Sequence, residues 1–135
     1  MKNDSFAATK KSKTGLQRII NAFGYSKDGL KAAYRFESAF RQLVLLNTLL
    51  IIAAFFLFNF GPSTRILLTM ASFISLITEL FNTAIEAAVD HTSTAKHELA
   101  KRAKDAGSAA QLLALTLLAF VWMMSLWREY GFNLF

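Results

Sequence analysis

Five polar side chains stand in an otherwise apolar run, ELFNTAIEAAVD, between Glu79 and Asp90. Glu79, Asn82, Thr83, Glu86 and Asp90 fall at i, i+3, i+4, i+7 and i+11. At about 100° per residue a helix gathers them within roughly a third of its circumference. Leu80, Phe81, Ile85 and Val89 occupy the opposite face. A carboxylate at bilayer depth costs several kcal/mol unless it is paired, hydrated or metal-bound. Three kinds of chemistry suit such a face: a Mg²⁺ site built from oxygen ligands, a proton or ion pathway, or polar contacts joining helices of an oligomer.

The following segment, HELAKRAKDAGSAA, sets His97, Lys101, Arg102 and Lys104 beside one end of the carboxylate face. Cations next to paired carboxylates suit a metal–polyphosphate ligand. For a simple cation pathway they would be counterproductive. A third acid, Glu37 in RFESAFRQL, precedes the first long apolar run. Glu37 and Glu86 could close on one metal if their helices touch. Glu79 lies about 10 Å further along the helix axis than Glu86. It is placed to act as a general base on a group arriving from the lipid side. The competing expectation for Glu37 is a solvated pair with Arg41 at i+4.

Other nucleotide signals are missing. GYSKDGLK (24–31) has two glycines at the Walker interval but Leu30 where the lysine is required. There is no GxGxxG and no protein-kinase signature. His91 and His97 are six apart and do not form a helical metal pair. The chain has no cysteine, which excludes disulfides and thiol chemistry.

The elements that position these groups are set by where charge is absent. Leu43–Thr64 and Ala106–Trp127 are each 22 residues long and carry no charge. As helices they span roughly 33 Å, the depth of a bilayer core. Ile66–Thr78 is apolar too and runs into the carboxylate face, while Gly61-Pro62 marks a turn between the first two runs. These features predict an all-α integral membrane protein with transmembrane helices at 43–60, 65–89 and 107–128. A soluble all-α core does not carry two such runs. A cleaved signal peptide would not begin so late.

Residues 1–42 and 91–105 hold thirteen Lys and Arg, and the remainder hold only Arg65 and Arg128. That asymmetry predicts a cytoplasmic N-terminus and an outer C-terminus. Residues 1–14 read as a disordered basic tail, and 15–135 as one domain. Over 15–35, Leu16, Ile19, Ile20, Phe23, Leu30 and Tyr34 share one face, while Arg18, Asn21, Lys31 and Arg35 lie elsewhere. This predicts an amphipathic surface helix, which can divide at Gly24-Tyr25-Ser26. A helix packed on a partner protein is the alternative. The formal charge of +6 is accounted for by this cytoplasmic face, so nucleic acid is not the expected partner.

ELFNTAIEAAVD with HELAKRAKDAGSAA resembles the bacterial diacylglycerol kinase family, which also includes undecaprenol kinases. RIINAFGYSKDGLKAAYRFESAFRQ matches that family's surface-helix region, and the resemblance runs from about Gly15 to Trp127. The HEL and GSAA strings are more similar to the diacylglycerol kinases of Gram-negative bacteria. The resemblance implies a homotrimer in the bacterial inner membrane, its C-terminus periplasmic. The implied reaction transfers the ATP γ-phosphoryl group to the diacylglycerol hydroxyl, with Mg²⁺, and makes phosphatidic acid. It implies Glu79 as general base, Asn82 as the residue fixing the reacting groups, and Glu37 and Glu86 as metal ligands. Nucleotide contacts would come from Arg18, Tyr25, Glu37, Glu86, Ala95, Lys96, His97, Lys104 and Asp105. Lipid contacts would come from Arg18, Ala22, Phe23, Gly24, Tyr25, Ser26 and Lys31 on the surface helix. Ala39, Phe40, Arg41, Gln42, Leu43, Glu79 and Ser108 would complete that set, and the small residues 106–110 would admit close helix approach.

The pattern is broken at Leu43, where a carboxylate is usual, at Lys27, where an aromatic residue is usual, and at Phe23, where the residue is usually small. These departures touch the acceptor pocket and leave the phosphoryl-transfer residues intact. Undecaprenol is the alternative acceptor within the class. A non-enzymatic ion-conducting or structural membrane oligomer is the alternative outside it.

Overall fold

The computed structural model describes residues 15–92 and 97–131. All of its regular structure is helical: α1 (Gly15–Phe36), α2 (Ser38–Ile52), α3 (Pro62–Thr92) and α4 (Glu98–Tyr130). A π-helical segment, Ala53–Leu57, prolongs α2. The stretches Ser38–Leu57, Pro62–Thr92 and Glu98–Tyr130 are each long and apolar enough to cross a membrane. The expected basic tail, 1–14, lies outside the described residues, as do Ala95 and Lys96.

The helices overrun the uncharged stretches because only the bilayer core excludes charge, whereas a helix can continue through the interface on either side. The first span is displaced the other way. It begins at Ser38 and leaves helical geometry at Phe58, whose φ of −108° and ψ of 143° are extended. The Phe58 N–H donates to the Ala53 carbonyl at 3.0 Å, closing the π turn. Pro62 opens α3, the position where its missing N–H costs no helical hydrogen bond.

α1 is continuous through Gly24-Tyr25-Ser26 rather than divided there. A helical glycine weakens this region by about 1 kcal/mol but does not break it. The Ser26 hydroxyl donates back to the Ala22 carbonyl at 3.0 Å. The interruption falls instead at Glu37, with φ −105° and ψ 111°. Arg41 Nη1 donates to the carbonyls of Tyr34 (3.0 Å) and Arg35 (3.1 Å). It thereby satisfies acceptors that the end of α1 leaves without helical partners.

α3 and α4 pack along each other most extensively. Their register is antiparallel: Asp90 meets Lys104, Asn82 meets Gly107, and Thr64 meets Glu129. The interior is thin. A buried cluster of Ala54, Phe60 and Leu68, with Phe58, Val121 and Trp122 against it, closes one end. Phe58 stacks on Phe60 at 5.2 Å, and Trp122 meets both rings edge-on. Ala71, Ala114 and Leu118 continue the core toward the other end. Leu45, Phe56, Ile66, Phe73, Leu113 and Phe120 are exposed. A water-soluble chain of this size does not display so much contiguous apolar surface, whereas lipid solvates it without cost.

Candidate active site

Glu79 is the most buried charged side chain among the described residues, with 6% of its surface exposed. It sits mid-way along α3, and Glu37 at the α1–α2 junction lies on a groove lined by the next turns of that helix, Thr83, Ala84 and Ala87. Glu86 lies two turns along α3 toward the charged loop and is half-buried.

Glu37 reaches this region because it is the one residue between two helices. As the residue preceding α2 it makes no side-chain cap hydrogen bond. The expected pairing with Arg41 does not form, since that guanidinium is spent on the carbonyls ending α1. The Glu37 carboxylate thus remains available to a ligand. It borders an open groove of about 480 Å³ between α1 and α3, with Ser26, Gly29 and Ala33 on one wall and Thr83, Ala84 and Ala87 on the other.

Asn82 occupies the α3–α4 contact. Its Oδ1 is buried with no hydrogen-bond partner. It faces Gly107, where any β-carbon would overlap the amide oxygen. Further along the same contact, Lys104 Nζ lies 3.0 Å from Asp90 Oδ1. Asp105 pairs with Lys101, and Arg102 with Glu98 at 2.7 Å, each one helical turn apart. His97 precedes α4 with extended backbone, and its carbonyl accepts from the Lys101 N–H at 3.0 Å.

The fold thus sets Glu79, Asn82 and Glu86 on successive turns of α3, with Glu37 on the groove beside those turns, and Lys104 and Asp105 on the turn of α4 before Gly107, which Asn82 meets. It leaves Arg18, Ala22, Phe23, Gly24 and Tyr25 on the exposed surface of α1, and His97 and Ser108 exposed on α4. Lys31, Phe40 and Arg41 line a second, larger apolar groove of about 920 Å³ among α1, α2 and α3. Ala39 and Gln42 are exposed on α2, and Leu43 is buried.

No group of three or more His, Asp or Glu residues among the described residues forms a metal cage. Mg²⁺ takes one or two carboxylates and completes its shell with water and phosphate oxygens. Two carboxylates and an unpartnered amide oxygen are a donor set of that hard, oxygen-only kind.

One buried group was not singled out in the sequence. Asn47 of α2 is 1% exposed and Ser75 of α3 fully buried. Asn47 Nδ2 donates to Ser75 Oγ at 3.0 Å and to the Leu43 carbonyl at 3.0 Å. The Ser75 hydroxyl in turn donates to the Ser72 carbonyl at 2.8 Å. Asn47 Oδ1 and Ser72 Oγ have no partner. Ser72 and Ser75 precede Glu79 at helical spacing, so the polar face of α3 extends deeper than its acids. The signal was present: Asn47 is the sole amide in LVLLNTLLII.

The fold and this site define a class, a helical membrane protein with a buried carboxylate, Glu79, on the polar face of a membrane-length helix. A family model described as prokaryotic diacylglycerol kinase matches residues 24–126. The chain is 53% identical over 112 residues to a diacylglycerol kinase of Pseudomonas aeruginosa, covering 83% of this chain and 90% of that one. It is 46% identical to one of Helicobacter pylori, over 80% of this chain and 84% of the relative. It is 43% identical to that of Escherichia coli K12, over 87% and 96%. The chain belongs to the prokaryotic diacylglycerol kinase family.

Proposed function

We propose that this protein transfers the γ-phosphoryl group of ATP to the free hydroxyl of diacylglycerol, giving phosphatidic acid and ADP. The observation that carries this reading is the buried Glu79 on one helical face with Asn82 and Glu86, in a chain of this family. Phosphoryl transfer needs positioning and charge neutralisation more than covalent participation by the protein. Mg²⁺, held by Glu37 and Glu86, would supply charge neutralisation for the polyphosphate. Glu79 takes the proton of the acceptor hydroxyl as its oxygen bonds to the γ-phosphorus. Asn82 holds the reacting groups in line, and Lys104 and Asp105 contact the nucleotide. The other nucleotide contacts are Arg18, Tyr25 and the 95–97 segment.

α1 is read as a surface helix on the cytoplasmic face, with its apolar side in the interface. The N-terminus is then cytoplasmic and the C-terminus periplasmic, in the bacterial inner membrane. A homotrimer supplies the walls that a single three-span chain lacks around so shallow a site. A diacylglycerol acceptor is favoured over undecaprenol by the curated relatives, all three of which carry the diacylglycerol kinase name.

The test is a side-by-side assay in mixed micelles with Mg·ATP and either lipid. Labelled γ-phosphate should pass to diacylglycerol at least tenfold faster than to undecaprenol. A preference for undecaprenol would reassign the acceptor. Transfer to neither lipid, with Glu79-dependent ion flux in liposomes, would support the non-enzymatic alternative.

A further inference from the structure

Gly107 stands inside α4 with ordinary negative φ, so conformational freedom does not account for it. A glycine in a helix interior is less favourable than alanine at the same place. Its remaining physical advantage is the absence of a side chain. A β-carbon built at Gly107 would collide with Asn82 Oδ1, while Asn82 Cγ and Cα would lie at the ordinary contact distances of 3.5 and 3.7 Å. The overlap is thus confined to the tip of one side chain. That tip is a buried amide oxygen with no hydrogen-bond partner.

We propose that Gly107 is a positioning residue for phosphoryl transfer: its missing side chain leaves the space in which the Asn82 carboxamide is held toward the reacting groups. The proposal rests on the role given to Asn82 above. An added methyl group at position 107 turns the carboxamide away, because rotation of Asn82 relieves the clash more easily than separation of α3 from α4. Gly107→Ala therefore acts on catalysis more than on folding. A displacement near 1 Å in a positioned group can cost on the order of 100-fold in rate.

The experiment compares wild type, Gly107→Ala, Asn82→Ala and the double variant in the full-length protein. Turnover is measured in diacylglycerol micelles, and thermal unfolding of the detergent-solubilised assembly is followed alongside. Gly107→Ala should lower kcat at least tenfold with the lipid KM within twofold. Its melting temperature should be no lower than that of wild type. In the Asn82→Ala background the methyl group has free space, so the same substitution should raise the melting temperature more than it does in wild type. Failure of Gly107→Ala to assemble, repaired by Asn82→Ala, would overturn the positioning role, because the clash would then part the helices instead of turning the carboxamide.

An inactive Asn82→Ala beside a Gly107→Ala of ordinary kcat would overturn the proposal and leave the role of Asn82 standing. An equal thermal shift in both backgrounds, or failure to assemble in both, would also overturn it. Ordinary turnover in Asn82→Ala would instead overturn the role of Asn82, and the proposal with it.

Discussion

Replacing Asn47 with leucine removes an amide from the interior of the membrane-spanning region, and the structure sets the size of the effect. The one bond lost between helices is Asn47 Nδ2 to Ser75 Oγ at 3.0 Å. In membrane proteins such bonds average about 0.6 kcal/mol and reach about 1.7. The bond to the Leu43 carbonyl stays within α2, and that carbonyl keeps its helical partner. Against these losses, the substitution also removes Asn47 Oδ1, buried without a partner, whose desolvation costs about 1–3 kcal/mol. The opposing contributions are of similar size, so Asn47→Leu should lie within about 1 kcal/mol of wild type. A double-mutant cycle with Ser75→Ala isolates the bond itself, and its coupling should fall between about 0.6 and 1.7 kcal/mol. Reversible unfolding in mixed anionic and neutral detergent, followed by far-UV circular dichroism, reads both quantities. A loss above about 3 kcal/mol in Asn47→Leu would refute the reasoning, because it would mean that Oδ1 is bonded in the folded protein. Zero coupling would mean that the α2–α3 seam closes without this bond. The seam matters to function because Glu37 immediately precedes α2 and Glu79 lies one turn beyond Ser75, so the contact helps set how the two acids face each other.

Two further outcomes are expected. Chelation of divalent ions should abolish phosphoryl transfer and Mg²⁺ should restore it, with helix content unchanged, since in the proposed mechanism Glu37 and Glu86 would hold the metal for the reaction and not for folding; loss of helix on chelation would contradict this. The cysteine-free chain allows single-cysteine labelling in intact cells. An impermeant reagent should modify Ser63→Cys before lysis and His91→Cys only after it, and the reverse pattern would invert the proposed topology.

The first and third membrane-length helices were legible because their signal is one of omission: over 22 residues, the absence of charge has little other explanation, whereas the second was read from the shorter apolar run 66–78 and the turn at Gly61-Pro62 before it. The clustering of Glu79, Asn82 and Glu86 was legible for a similar reason, since helical periodicity alone puts them on one face. Helix ends were less so. Nothing local distinguishes Phe58, where α2 ends in an extended residue, from the apolar residues before it. Gly24 looked like a break and Glu37 did not, because a glycine's weak intrinsic preference is overridden in context, while the turn at Glu37 is stabilised by a guanidinium four residues on. Contacts between helices were least legible. The Asn47–Ser75 bond and the fit of Asn82 against Gly107 depend on the relative rotation of two helices, which no single-helix pattern contains. The resemblance to the family supplied roles that spacing left open, above all the choice among metal site, ion pathway and structural contact.

The central claim is that Glu79 is the base in transfer of phosphate to a lipid hydroxyl. The most direct measurement is the Mg·ATP-dependent kcat of Glu79→Gln against wild type, in diacylglycerol mixed micelles, with the assembly checked by its elution and melting temperature. Gln keeps the size and polarity of the side chain but cannot take the proton. General-base catalysis is worth about 10²–10⁴ in rate. Glu79→Gln should lose at least about 100-fold in kcat with the assembly intact. A variant that folds and retains kcat within a few-fold of wild type would contradict it.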